Sequence, residues 1–160
     1  MIIKEDLISM FQKEFATTLK VMRAYPETQM QFAPHERSSP AKRLMATFVF
    51  EMYLLRSFIF GETVDRSAFQ QYAKETLDEL IADFEKETTK VIQLMKNLNE
   101  NDLSKKVEFA GTTFTADRFA MMMLFDQVHH RGQLSVYIRM AGGKVPSIYG
   151  PSADDTSTNL

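Results

Sequence analysis

The chain has 160 residues, 44% of them hydrophobic, which is enough for one compact domain with a single core and too few to argue for two. Nineteen basic and 21 acidic residues give a formal charge of -2 with no basic run, so the composition argues against a nucleic-acid partner. There are no cysteines, which excludes disulfides, thiolate metal ligands and a cysteine nucleophile, and suits a reducing cytoplasm.

The N-terminal stretch has Lys4, Glu5 and Asp6 where a secretory signal needs an unbroken apolar core, so no signal peptide is read there. Leu7, Phe11, Phe15, Leu19 and Met22 then recur at helical spacing until Tyr25-Pro26, and predict a first helix from about Lys4 to Ala24. Ser38-Ser39-Pro40 reads as an N-cap followed by proline at the first helical position, opening a second helix that ends near Phe60, before Gly61. Its inward face carries Leu44, Thr47, Phe48, Glu51, Leu55 and Phe58, in which Thr47 and Glu51 are polar.

A third helix starts near Thr76, whose spacing to Glu79 fits a capping box; Leu77, Leu80, Ile81, Phe84, Val91, Met95 and Leu98 form its buried face. Asp83, Glu85, Lys86 and Glu87 read as its solvated face. The connector from Asn99 to Thr115 includes Lys106-Val107-Glu108-Phe109, a candidate extended piece before Gly111. The fourth helix begins after Thr115 and stops at Gly142-Gly143, and it is apolar around much of its circumference, which predicts cover on two sides, by the other helices or by a second subunit. Four such segments predict an all-α, antiparallel four-helix bundle. The most apolar run, Ala120 to Phe125, falls far short of the roughly 20 residues of a membrane span, so no membrane partner is expected. Residues 1–151 form the domain, with 152–160 a flexible polar tail.

Two of the three histidines are adjacent in FDQVHHRGQL, Phe125 to Leu134. Asp126 and His130 lie one turn apart, close enough to reach one ion, and the stripe of Phe119, Met122 and Tyr137 predicts that both point into the bundle. His129 lies three residues from Asp126, near the other edge of that stripe, and spacing alone does not choose between the histidines. The plainer reading is a hydrogen-bonded carboxylate and imidazole. A metal needs a third ligand from elsewhere. The candidates are Glu51, which Arg43, Arg56 or another cation would more simply neutralise; His35, in a connector; and Thr47, whose hydroxyl would more simply bond its own helix. Arg131 and Gln133 read as bonds to neighbouring segments, Gly132 as a close helix approach, and Tyr149 as an anchor for the chain after the fourth helix.

The string HHRGQLSVYIRMAGGKVPSIYGPSADD, His129 to Asp155, resembles the C-terminal signature of the DinB/YfiT-like superfamily, and Phe32-Ala33-Pro34 with Leu44 to Val49 resembles its stretch into the second helix. The resemblance implies a DinB/YfiT-like four-helix bundle, commonly a homodimer, with a three-histidine site for a divalent metal such as nickel or zinc. It also implies thiol-dependent transferase or hydrolase-like chemistry with a low-molecular-weight thiol. Carried onto this sequence, the metal positions are Thr47, Asp126 and His130, so two of the three histidines are replaced. Glu51 or His129 could compensate. The alternative is a metal-free small-molecule-binding or scaffold protein that keeps the bundle without catalysis.

Overall fold

The computed structural model describes residues 3–155. Among them the helices are α1 (Lys4–Arg23), α2 (Ala41–Phe60), the single turn α3 (Phe69–Tyr72), α4 (Leu77–Asn97), the short α5 (Glu100–Leu103) and α6 (Ala116–Met140). A hairpin of β1 (Lys106–Phe109) and β2 (Thr112–Thr115) precedes α6. The first two long helices and the last agree with their sequence signals to within a residue or two. Gly61 closes α2 in the left-handed conformation at φ 72°, and Thr76 and Glu79 exchange both bonds of a capping box at the start of α4. The start of α2 is shifted by one residue: Pro40 is its N-cap, with no side-chain cap, and the Ser39 carbonyl accepts from the Tyr137 hydroxyl at 3.1 Å.

The four long helices form two antiparallel pairs. Lys4 reaches the carbonyls of Lys96 and Leu98, so the start of α1 lies at the end of α4. Phe58 meets Phe119 while the Ser39 carbonyl meets Tyr137, so α2 runs against α6. Across the pairs, α2 and α4 start at the same end, where Lys42 bonds Glu75. The core between them is built on edge-to-face rings, Phe11 on Phe15, Phe15 on Phe84 and Phe48 on Phe84, a geometry that ring quadrupoles favour. Leu7, Met45, Met52 and Leu80 fill the space around them with no exposure.

The extended piece expected at Lys106–Phe109 is the first strand of a hairpin whose partner strand and the short α5 carried no clear sequence signal. Its turn, Ala110-Gly111, has φ of 49° and 78°, as a two-residue hairpin turn with both central residues left-handed requires.

Three expectations are corrected. Glu87, read as solvated, is 2% exposed because it lies between Lys90, at 2.6 Å, and Arg56, at 3.5 Å. Ser152 to Asp155, read as the start of a loose tail, are bonded back: Asp154 accepts from Arg139 and from the Val145 amide, and Asp155 accepts from the Ser147 amide. The rest of that tail, 156–160, lies outside the described residues. Gly132 does not serve a close helix contact within this chain, since a Cβ built there meets nothing within 4 Å. The crowded glycine is Gly143, where a Cβ would stand 2.9 Å from Ile138 and 3.0 Å from Pro26, at the junction of α6 with the end of α1.

Candidate metal centre

The long helix α6 presents its buried stripe through Phe119, Ala120, Met123, Leu124, Gln127, Arg131, Leu134 and Ile138. The centre of that stripe is polar, which is why an apolar pattern misplaces it. Asp126 and His130 therefore lie along one margin of the buried stripe and not at its centre: Asp126 is exposed and His130 half-buried. The margin faces α2, and there it meets Glu51, which is 3% exposed.

Glu51, Asp126 and His130 each bring a ligand-capable atom within 4.8 Å of the others. His130 Nδ1 and Glu51 Oε1 lie 2.6 Å apart, a bond in which the imidazole N–H donates to the carboxylate. The other oxygen, Glu51 Oε2, is buried and makes no hydrogen bond. Burial pushes the Glu51 carboxyl up to about 7; the His130 bond and charge oppose that rise, and the nearby Asp126 carboxylate adds to it. His130 is raised above its ordinary 6.5, chiefly by its bond to Glu51, with burial acting against the rise. The site is thus a half-sealed pair of carboxylates with one imidazole, short of positive charge.

The residues expected to pair with Glu51 are engaged elsewhere. Arg43 lies over the Phe69 ring, 5.4 Å from its centroid, and Arg56 pairs with Glu62 and Glu87. Thr47, one turn before Glu51, is half-buried and its hydroxyl donates to the Arg43 carbonyl at 3.1 Å, the ordinary back-bond of a helical threonine. His129 is exposed and bonds Gln133 at 3.0 Å, and His35 is exposed and accepts from the Arg37 amide. Asp126 and His130 do share a site, but the carboxylate bonded to the imidazole is Glu51, not Asp126. Glu51 was visible in the sequence as a carboxylate on an inward face, one turn after Thr47.

Arg131 faces away from this site into the bundle, 1% exposed. Its guanidinium donates to the Glu14 carboxylate at 2.7 Å, to the Glu14 carbonyl and Thr18 hydroxyl at 3.2 Å each, and to the Tyr149 hydroxyl. Tyr149 in turn donates to Glu14 at 2.7 Å, so it anchors the chain after α6 as its sequence context suggested.

A four-helix bundle with a carboxylate and histidine cluster between α2 and α6 defines the class of protein. Comparison with known sequences makes it specific: the sequence profile of the DinB superfamily matches residues 10–134, and the chain belongs to that superfamily. It is 31% identical over 88 residues to the uncharacterized protein YrdA of Bacillus subtilis strain 168, a match covering 54% of this chain and 53% of that protein. It is 22% identical over 140 residues to YjoA of the same organism, covering 86% and 90% respectively. The matched stretch thus spans about half the length of YrdA and nine-tenths of YjoA. Among solved structures, a DinB-like protein from Bacillus cereus ATCC 10987 shares the fold at TM-score 0.81 and 20% identity, covering 91% of this chain and 97% of that one. A mycothiol-dependent maleylpyruvate isomerase shares it at TM-score 0.70 and 14% identity, covering 83% and 61%. No helix among the described residues is long and apolar enough to cross a membrane.

Proposed function

We propose that this chain is a divalent-metal-dependent DinB protein in which Glu51, Asp126 and His130 hold the ion, and that it carries out a transfer or hydrolysis on a small molecule. The observation that carries this reading is Glu51 Oε2, a buried carboxylate oxygen without a hydrogen bond, set beside a second carboxylate and an imidazole. Burying such an oxygen costs roughly 1–3 kcal/mol when nothing compensates it, and a cation compensates both carboxylates together. The donor set fits a divalent ion: three protein ligands leave positions open for water or substrate, as catalytic sites require.

A bound ion would supply Lewis-acid chemistry, lowering the pKa of a coordinated water or thiol to yield a nucleophile near neutral pH. The protein side of the reaction rests on its own groups. Without an ion, Glu51 Oε1 and His130 Nδ1 share a proton across 2.6 Å, which metal binding would release. Asp126, exposed on the outer side, faces any incoming ligand. With two carboxylates and one nitrogen the preference moves from nickel or zinc towards harder ions such as manganese. The resemblance of fold to a mycothiol-dependent isomerase supports a low-molecular-weight thiol as one candidate co-substrate.

The test is metal analysis after loading with manganese, zinc and nickel and removing excess. About one ion per chain is expected for at least one of the three, and lost in Glu51→Gln and His130→Ala. Protein that retains none of the three would end this reading and favour the metal-free alternative.

A further inference from the structure

Along α2, Phe50, Leu54 and Phe58 recur every four residues, and with Val64 and Phe109 they line a cavity of about 330 Å³. All five are half-buried, and none is charged. The cavity adjoins the metal centre along α2, the helix that carries both. Leu54 lies three residues beyond Glu51, so the two side chains are neighbours on α2. The Phe58 ring meets both Phe109 and Phe119, at 5.3 Å each, so the inner wall of the cavity packs on α6. A second depression, between α1 and α4 and lined by Phe15, Thr88 and Ile92 among others, has no such connection to the carboxylates.

We infer that this groove is the substrate-specificity pocket and that it takes an aromatic ring, joined by a short link to a polar head bound at Glu51, Asp126 and His130. The inference rests on the proposed metal reading. The volume is at the small end of the range for ligand sites, roughly 300–1,000 Å³, and so suits one ring in place of a large cofactor. Three of the five lining residues are phenylalanines, and Phe58 and Phe109 already stand edge to face at 90°. Such walls accept a further ring in the edge-on or offset arrangement that aromatic pairs prefer. The uncharged lining gives nothing to a second ionic group, so the ligand is polar at one end only.

The probes are benzohydroxamate and acetohydroxamate, which share a metal-binding head and differ in the ring. Calorimetric titration of the manganese-loaded protein is expected to give about tenfold or tighter binding of benzohydroxamate. In Val64→Asp and Leu54→Gln the preference falls to within about threefold, while acetohydroxamate affinity and metal content hold. Equal affinities in the unaltered protein, or a preference that survives both substitutions, would overturn the pocket. Metal content reads the centre separately: if no ion is retained, the fluorescence of N-phenyl-1-naphthylamine reads the groove alone. Enhancement lost in both variants supports the ring pocket, and no enhancement in the unaltered protein refutes it. Far-ultraviolet circular dichroism of each variant establishes that it is folded.

Discussion

Replacing Glu51 by glutamine separates the proton held at the site from the ion proposed for it. The carboxyl is raised from 4.5 to about 7 by burial, against the pull of His130. Below 4.5 it is protonated whether the chain is folded or not. Between 4.5 and about 7 the unfolded chain gives up the proton and the folded one keeps it, so the folded state binds more protons and stability falls as pH rises. Above 7 the loss is complete, and it amounts to about 3 kcal/mol. His130, also raised, acts in the same sense: its contribution is present at low pH and is lost as pH rises through its folded pKa. Glutamine cannot titrate and no longer holds the imidazolium. Urea unfolding with chelator, from about pH 5 to about pH 8.5, should therefore show the unaltered protein losing about 3 kcal/mol relative to Glu51→Gln. Added manganese should restore the unaltered protein most at the alkaline end, since ligands bind metal deprotonated, and leave the variant unchanged. A stability difference that does not vary with pH would refute the argument that Glu51 is a buried, proton-holding group.

Arg131→Met should destabilise by about 3–5 kcal/mol, because Glu14 is left facing a buried space without its cation; the paired change with Glu14→Gln should recover much of this, measured as a double-mutant cycle in urea. Gly143→Ala should cost about 1–3 kcal/mol, since the added methyl meets Ile138 and Pro26, and thermal unfolding reads it directly. The outer face of α6 exposes Phe125 at 64%, Val136 at 55% and Met140 at 55%, around a Gly132 with open space above it. If a second copy of α6 covers these residues, light scattering should show a homodimer that Phe125→Lys with Val136→Lys converts to monomer. In that monomeric background Gly132→Ala should add about 0.5–1 kcal/mol, the ordinary gain of alanine over glycine inside a helix.

The helices were legible because their ends carry explicit chemistry: a capping box at Thr76, a left-handed glycine at Gly61, and glycines after α6. The hairpin was half legible, since Ala110-Gly111 is not a strong turn signal and β2 has no alternation of apolar residues. At the site, the spacing of Asp126 and His130 was read correctly, but their depth was not. Polar residues, Gln127 and Arg131, occupy the middle of the buried stripe on α6, and an apolar pattern cannot find a centre made of polar groups. Glu51 was visible as a carboxylate paired with Arg43, Arg56 or another cation, and the sequence did not choose among these. Only the packing of α2 against α6 shows that the neighbouring cation is His130. Glu87 was missed for the same reason, because a buried carboxylate with its partners on α2 and α4 looks identical in sequence to a surface one.

The guanidinium of Arg131 sets the angular position of the candidate metal centre. A helix can turn about its axis in steps of about 100° by changing which residue faces the core. For α6 such a step would drag a charge away from Glu14, Thr18 and Tyr149 and leave Glu14 without its cation. The orientation of His130 is therefore held by its immediate neighbour pointing the other way, and the aim of the candidate ligands depends on a charge that never touches them.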